Sequence, residues 1–154
     1  MTDVFTRLAE LGIELPAVVP PVASYVPAVR SGTYVFTSGQ LPMVDGVMPA
    51  TGKVGAEVSA DEAKAQARTA ALNALAAVHA LVGLDAVVQV VKVVGFVASA
   101  PGFTGQSAVV NGASDLLADV FGDAGRHARS AIGVAALPLD AAVEVELVVE
   151  VSTA

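Results

Sequence analysis

Two residues in the last quarter of the chain, Arg129 and Glu144, have charged side chains that could bind an anion and transfer a proton. Arg129 directly precedes an apolar segment, 130–136, where a guanidinium needs a polar partner. Glu144 lies in the segment 142–151, in which apolar residues alternate with glutamates, so its carboxylate belongs to a polar strand face. From this spacing alone, the favoured interpretation is an ion pair between neighbouring strands at a sheet edge. The alternative is a site in which the arginine binds a carboxylate and the glutamate moves protons.

Other familiar catalytic signatures are missing from the sequence. The chain has no cysteine, which excludes disulfides, thiolate catalysis and zinc–thiolate sites. Its two histidines, His79 and His127, are far apart and lie outside an HExxH pattern, and we interpret His79 as structural. Residues 102–105 lack the lysine and the spacing of a phosphate-binding loop. We therefore expect neither a metal nor a cofactor.

The composition predicts a single domain that buries surface against other copies of itself. The chain has 154 residues, of which 55% are hydrophobic and only 15% are charged, whereas ordinary domains carry about 25% charged residues. The longest apolar run, 86–100, is interrupted by Gln89 and Lys92 and is shorter than the ~20 residues that a membrane-spanning helix requires. We interpret this run as a buried strand rather than a membrane segment. The remaining apolar surface predicts a large subunit interface.

The charge balance argues against nucleic acid as a partner. A net charge of −7 with only eight basic residues does not provide the clustered lysines and arginines that phosphate binding needs. The amino-terminal residues also lack the basic start and the long apolar stretch of a signal peptide. We therefore expect a cytoplasmic protein with no nucleic-acid partner and no membrane association.

The periodicity of the apolar residues and the turn signals predict three helices and five strands. The clearest signal is the capping box of Ser59 and Glu62, which starts a long helix that ends at Gly83. The predicted elements, in chain order, are a helix 2–12 capped by Thr2, strands 25–29 and 33–38 around a turn at 30–32, a loop 40–55, a helix 59–82, a strand 86–98, a helix 107–121, and a closing hairpin of strands 130–136 and 142–151. This order favours an α+β layer, in which two long helices pack on one face of a mixed sheet.

Several segments at matching spacing resemble the RidA/YjgF family, often labelled endoribonuclease L-PSP. The segments that carry the resemblance are Tyr25, the stretch TYVFTSGQLP at 33–42, the dipeptide Arg129-Ser130, the turn Leu137-Pro138, and the strand start Val143-Glu144-Val145-Glu146. The capping-box helix and the valine-rich strand fall between them in the order typical of the family. The resemblance covers about 25–151.

This resemblance implies the chorismate-mutase-like form of the α+β fold. Members of the family form homotrimers in which the strands close an inner barrel and three pockets lie between subunits, which agrees with the interface expected from composition. It also implies one domain, 1–154, in which 1–22 is an amino-terminal extension without a counterpart in the compact members. The loop 99–107 is a few residues longer than in the standard deaminases.

The resemblance further implies cofactor-free hydrolysis of reactive 2-imino acids to 2-keto acids and ammonia. Arg129 would bind the carboxylate of a small substrate through paired hydrogen bonds, and Glu144 would position or activate water. The other implied pocket residues are Tyr25 on the wall, Ser38 and Gly39 on the floor, Ala131 through its backbone carbonyl, and Asn111 near the rim. Two further interpretations stay open: a non-catalytic trimer that binds small carboxylates as a sensor or scaffold, and a ribonuclease, which the acidic balance disfavours.

Overall fold

A computed structural model describes residues 2–21 and 23–153 of the chain. Within these residues the backbone forms three α-helices and five β-strands, and β3 and α3 begin within one residue of their predicted positions. The elements are α1 (Val4–Glu10), β1 (Ala28–Ser31), β2 (Tyr34–Thr37), α2 (Ala60–Val82), β3 (Val87–Ala98), α3 (Gln106–Phe121), β4 (Ala128–Val134) and β5 (Val143–Val151). The ends of the predicted domain 1–154, and the first and last residues of the predicted extension 1–22, lie outside the described residues.

The long helix α2 begins and ends where the sequence predicts. The Ser59 hydroxyl accepts a hydrogen bond from the Glu62 amide at 3.1 Å, and the Glu62 carboxylate accepts one from the Ser59 amide at 2.9 Å. The bond from the Ser59 amide lowers the pKa of Glu62, because it stabilises the ionised carboxylate. Gly83 ends the helix at a φ of +83°, a conformation that favours glycine. The buried face of α2 is made largely of small residues, among them Ala63, Ala67, Ala70, Ala71 and Ala74.

The strands of the described chain form one mixed sheet in the order β1-β2-β5-β3-β4. β3 and β4 run parallel, and the other neighbouring strands are antiparallel. The prediction that the last two strands form a hairpin is therefore wrong, because β3 lies between them. The physical reason is burial. Alternate residues of β5 are buried, as a central strand requires, whereas β4 has no buried residue and occupies the edge.

Both long helices cover the same face of this sheet, as predicted. α2 packs against α3 and β5, and α3 also packs against β3. The opposite face is open in a single chain, since its side chains at Val29, Phe36 and Ile132 are 42–51% exposed. Among residues 2–21 and 23–153, no helix is both long and apolar enough to cross a membrane.

The short helix α1 attaches the amino-terminal segment to both long helices. The Arg7 Nε–H donates to the Asp119 carbonyl of α3 at 2.7 Å. The Phe5 ring meets the His79 ring of α2 edge-on, with 5.5 Å between the ring centroids. Leu8 is buried in the core between these two contacts. The start of the chain is thus packed onto the helical layer.

Several element boundaries differ from the prediction, among them the starts of α1, β1 and β4. Asp3, not Thr2, caps α1, because its carboxylate accepts hydrogen bonds from two amides of the first turn. β1 begins later than predicted at Ala28, and its turn falls at Gly32, whose φ of +62° favours glycine. β4 begins earlier than predicted, so Arg129 lies inside the strand rather than before it.

The contact between α2 and α3 predicts an unusual response to a glycine substitution. A Cβ atom at Gly112 of α3 would overlap the Lys64 carbonyl oxygen of α2. Gly112→Ala should therefore lower the free energy of unfolding by about 1–3 kcal/mol, although alanine normally stabilises a helix interior by about 1 kcal/mol relative to glycine. Urea unfolding followed by circular dichroism measures the change. The control Asp119→Ala, on the exposed side of α3, should stay within about 0.5 kcal/mol of the wild type, and a stabilised Gly112→Ala protein would contradict this packing.

Candidate functional site

The side chain of Arg129 leaves the edge strand β4 and lies against α3. Its Nη1 donates to Asn111 Oδ1 at 2.7 Å and to Ser114 Oγ at 3.2 Å. Its Nη2 donates to the Ser107 carbonyl oxygen at 3.2 Å. In the described part of the chain, no carboxylate lies within salt-bridge distance of this guanidinium. The ion pair with Glu144 that spacing alone favours is therefore not formed within one chain.

These contacts leave part of the Arg129 guanidinium available to a ligand. A guanidinium has five N–H donors, and contacts among the described residues engage two on Nη1 and one on Nη2. The remaining donors are on Nε and Nη2, which are neighbouring nitrogens on one edge of the planar group. Such an edge can bind a carboxylate through two parallel hydrogen bonds. Because the three acceptors already engaged are neutral, no described residue places a compensating charge beside Arg129.

Glu144 lies on the open face of the sheet, where its side chain is half-buried against Gly39. A Cβ atom at Gly39 would overlap the Glu144 carboxylate, so this contact requires glycine. Burial raises the pKa of Glu144, since desolvation disfavours the charged form, and the nearby Glu146 carboxylate raises it further. A carboxyl group with a raised pKa is suited to accepting and donating protons closer to neutral pH.

Tyr25 and Gly39 line one small recess of about 30 Å³. The amino-terminal segment contributes Val19, Pro20 and Pro21 to the same recess. Ser38 lies beside Gly39, where its hydroxyl donates to the Val26 carbonyl at 2.6 Å and its amide donates to the Pro27 carbonyl at 2.8 Å. Ser38 thus holds the segment before β1 in place beside Gly39, and part of the predicted extension forms a wall of the recess.

The residues predicted from sequence fall into two groups on opposite faces of the sheet. Arg129 pairs in register with Val93, which is buried beneath the helices, whereas Glu144 pairs with Phe96 on the open face. Successive strand residues point to opposite faces, so the two charged side chains diverge. The first group contains Arg129, Asn111 and Ala131, and the second contains Glu144, Gly39, Ser38 and Tyr25. A pocket that uses both groups must take them from two copies of the chain.

Sequence reasoning missed two neighbours of Arg129, Ser107 and Ser114, and it missed His127, which contacts Ser114. A signal for two of them was present, because Ser107, Asn111 and Ser114 follow the i, i+4, i+7 spacing of one helix face. That polar stripe faces β4 and supplies all three acceptors of the guanidinium. Residues 2–21 and 23–153 contain no group of three or more histidine and acidic side chains arranged to hold a metal ion.

A mixed sheet in this order, with two long helices on one face and an arginine on the parallel edge strand, defines a chorismate-mutase-like α+β protein. The family model described as "YjgF/chorismate_mutase-like, putative endoribonuclease" matches residues 5–151. This match covers nearly the whole chain. The chain belongs to this family, the RidA/YjgF family, as its sequence motifs predict.

The chain is more similar to some members of the family than to others, which places it in a divergent branch. TCP17 of Trypanosoma cruzi is 49% identical over 151 residues, which cover 97% of this chain and 94% of TCP17. The crystal structure of Atu1372 from Agrobacterium tumefaciens has a TM-score of 0.90 at 45% identity. The match covers 97% of this chain and 92% of the Atu1372 chain. The crystal structure of E. coli TdcF with bound serine has a TM-score of 0.62 at 28% identity. The match covers 89% of this chain and 93% of the TdcF chain.

The contact between Gly39 and Glu144 can be tested by adding one methyl group. Gly39→Ala should displace the Glu144 carboxyl into water and return its pKa toward the ordinary value, because the raised pKa depends first on burial. The added methyl should cost little stability, because the carboxyl that it meets is the far end of a flexible side chain. A carbon-13 NMR titration of the glutamate carboxyls measures the change. Ser31→Ala, at the exposed end of β1, serves as the control, and an unaltered Glu144 titration in Gly39→Ala would refute the contact.

The raised pKa of Glu144 predicts how stability responds to pH. The folded state holds the Glu144 proton more tightly than the unfolded state, so stability falls as pH rises through the folded pKa. Glu144→Gln removes this ionisation and should melt higher than the wild type at about pH 8, on the order of 1–2 °C because the group is half-exposed. The difference should shrink near pH 4, where the carboxyl is protonated. Thermal melts across this range test the sign, with Glu150→Gln on the same face of β5 as the control. A difference that grows toward low pH would contradict it.

Proposed function

We propose that this protein hydrolyses reactive 2-imino acids, such as 2-iminobutyrate and 2-iminopropionate, to the 2-keto acid and ammonia. The observation that carries the proposal is the Arg129 guanidinium, which three neutral acceptors hold in place while two donors stay available. A small carboxylate is the ligand that this arrangement favours. The structure of the relative TdcF contains bound serine, a small molecule with such a carboxylate.

In the proposed reaction, binding and proton transfer are divided between the two charged side chains. Arg129 binds the substrate carboxylate and thereby fixes the adjacent imine carbon, and this positioning supplies much of the rate gain. Glu144 accepts a proton as water attacks that carbon. The protonated Glu144 returns this proton to the nitrogen of the tetrahedral intermediate. A second proton then passes from the new hydroxyl group to the nitrogen through Glu144, so the C–N bond breaks, the C=O bond forms and ammonia leaves. The raised pKa of Glu144 supports this role, because it brings proton exchange closer to neutral pH.

The proposal requires that the pocket forms between copies of the chain. Arg129 and Glu144 lie on opposite faces of one sheet, so a second copy has to bring its Glu144 to the edge strand that carries Arg129. The apolar side chains on the open sheet face, among them Phe36 and Ile132, support such an assembly because they need a cover. We propose a homotrimer with three pockets. In each pocket Asn111 and Ala131 accompany Arg129, and Tyr25, Ser38 and Gly39 accompany the neighbouring copy's Glu144.

Coupled turnover tests the proposed reaction. A serine or threonine dehydratase generates the imine, and the wild-type protein should accelerate the release of ammonia and keto acid. Arg129→Ala should lower kcat/KM by about 100-fold or more, and Glu144→Gln should lower kcat by about 100-fold or more. The matched control is Arg126→Ala, because Arg126 is an exposed arginine just before β4. Equal rates for the wild type and Arg129→Ala would refute the proposal.

Subunit complementation tests whether each pocket draws on two copies. Arg129→Ala and Glu144→Gln chains should each be inactive alone. When the two are co-expressed at equal levels, about a quarter of the pockets combine an intact arginine with an intact glutamate, and about that fraction of wild-type activity should return. If both residues acted from the same chain, no activity would return.

Two results would favour the other interpretations. A thermal shift with 2-oxobutyrate that depends on Arg129, without any turnover, would favour a carboxylate-binding trimer that acts as a sensor or scaffold. RNA binding that persists at physiological salt would favour the ribonuclease, against the net charge of −7.

A further inference from the structure

A chain of hydrogen bonds runs from Arg129 into the protein, away from the available edge of the guanidinium. Arg129 Nη1 donates to Ser114 Oγ at 3.2 Å, and Ser114 Oγ lies 2.8 Å from His127 Nε2. His127 Nδ1 lies 2.6 Å from the Gly125 carbonyl oxygen. Gly125 is buried so close to α3 that a Cβ atom there would overlap the Leu117 carbonyl. The far end of the chain is therefore anchored to rigid backbone.

When the His127 ring carries a single hydrogen, the groups at the two ends determine the direction of every bond in this series of hydrogen bonds. A guanidinium can only donate and a carbonyl oxygen can only accept. His127 Nδ1 must therefore carry a hydrogen, and Nε2 of the neutral ring is then an acceptor for the Ser114 hydroxyl. The Ser114 oxygen in turn presents its lone pairs to Arg129. With one hydrogen on the His127 ring, the bonds run in one direction, from Arg129 to Ser114 at one end and from His127 to the Gly125 carbonyl at the other, and Ser114 donates to His127 between them.

We propose that Ser114 and His127 are positioning residues that hold the Arg129 guanidinium ready for a substrate carboxylate. This inference rests on the proposed function. An arginine side chain has large rotamer freedom, and ordering it upon binding opposes affinity. The chain through the His127 ring orders the guanidinium before the substrate arrives.

The direction of the hydrogen bonds between Arg129 and Gly125 can be tested by spectroscopy without substrate, because it requires the hydrogen of the His127 ring to be on Nδ1. His79 is the internal reference, because its Nδ1 accepts a hydrogen bond from the Leu84 amide at 3.3 Å, so its neutral ring carries the hydrogen on Nε2. Long-range proton–nitrogen NMR of the wild-type protein at mildly alkaline pH should show opposite tautomers, with Nδ1–H at His127 and Nε2–H at His79. The His79→Phe variant assigns the signals. An Nε2–H tautomer at His127 would overturn the proposal.

Affinity measurements test whether the hydrogen bonds through Ser114 and His127 help Arg129 to bind a carboxylate. Ser114→Ala and His127→Phe each interrupt the chain and should raise KM for the imino acid, and Kd for 2-oxobutyrate, about tenfold. The value of kcat should change by less than about twofold, since Glu144 is untouched. His127→Gln keeps an acceptor for the Ser114 hydroxyl and should recover most of the affinity. The double variant should bind no more weakly than either single variant, because both break the same chain.

The control and the contrary outcomes separate this inference from the proposed function. His79→Phe, in α2, should bind like the wild type. If Arg129→Ala abolishes binding but Ser114→Ala and His127→Phe do not change it, the positioning role is overturned and the proposed function stands. A loss of melting temperature in these two variants without a change in affinity would likewise reduce them to a structural role. A wild-type protein that neither binds 2-oxobutyrate nor releases ammonia would overturn both.

Discussion

The burial of alternate β5 side chains beneath the helices is the constraint on which the candidate site depends. The residues concerned are Val143, Val145, Leu147, Val149 and Val151, all nearly inaccessible to solvent. Because successive strand residues point to opposite faces, this burial directs Glu144 to the open face. The register continues through β3 to β4 and places Arg129 on the helix side. A shift of β5 by one residue would put glutamates into an apolar core, which is too unfavourable to occur. Core packing therefore separates the two charged side chains.

Each half of the candidate site carries an electrostatic imbalance that the single chain does not resolve. Arg129 is held by neutral acceptors, and Glu144 has a pKa raised by burial and by Glu146. Carboxyl groups with a perturbed pKa, such as Glu144, concentrate at functional sites. In the proposed trimer, the substrate carboxylate compensates Arg129 while the imine carbon meets the neighbouring copy's Glu144. In this proposal, one chain has the residues of the active site and assembly supplies its geometry.

The support around Arg129 illustrates how a folded chain prepares a polar side chain for binding. Asn111, Ser114 and the Ser107 carbonyl come from one face of α3, and His127 comes from the approach to β4. Rigid elements on both sides fix the guanidinium more closely than a surface loop would. The amino-terminal segment acts similarly at the other group, because it is packed through α1 onto the helices and reaches the recess beside Tyr25 and Gly39.

Local sequence signals determined most of the elements and the family, and tertiary structure decided how they meet. The Ser59–Glu62 capping box and the alternation of β5 follow from hydrogen bonding and burial over a few residues, so both could be predicted. The family motifs likewise led to Arg129 and Glu144. The neighbours of β5, the face that carries Arg129 and its bonds to Ser114 depend on which distant segments pack together. The hairpin prediction was wrong for this reason: adjacency in the sequence does not reveal which strand takes a neighbouring strand on each of its edges.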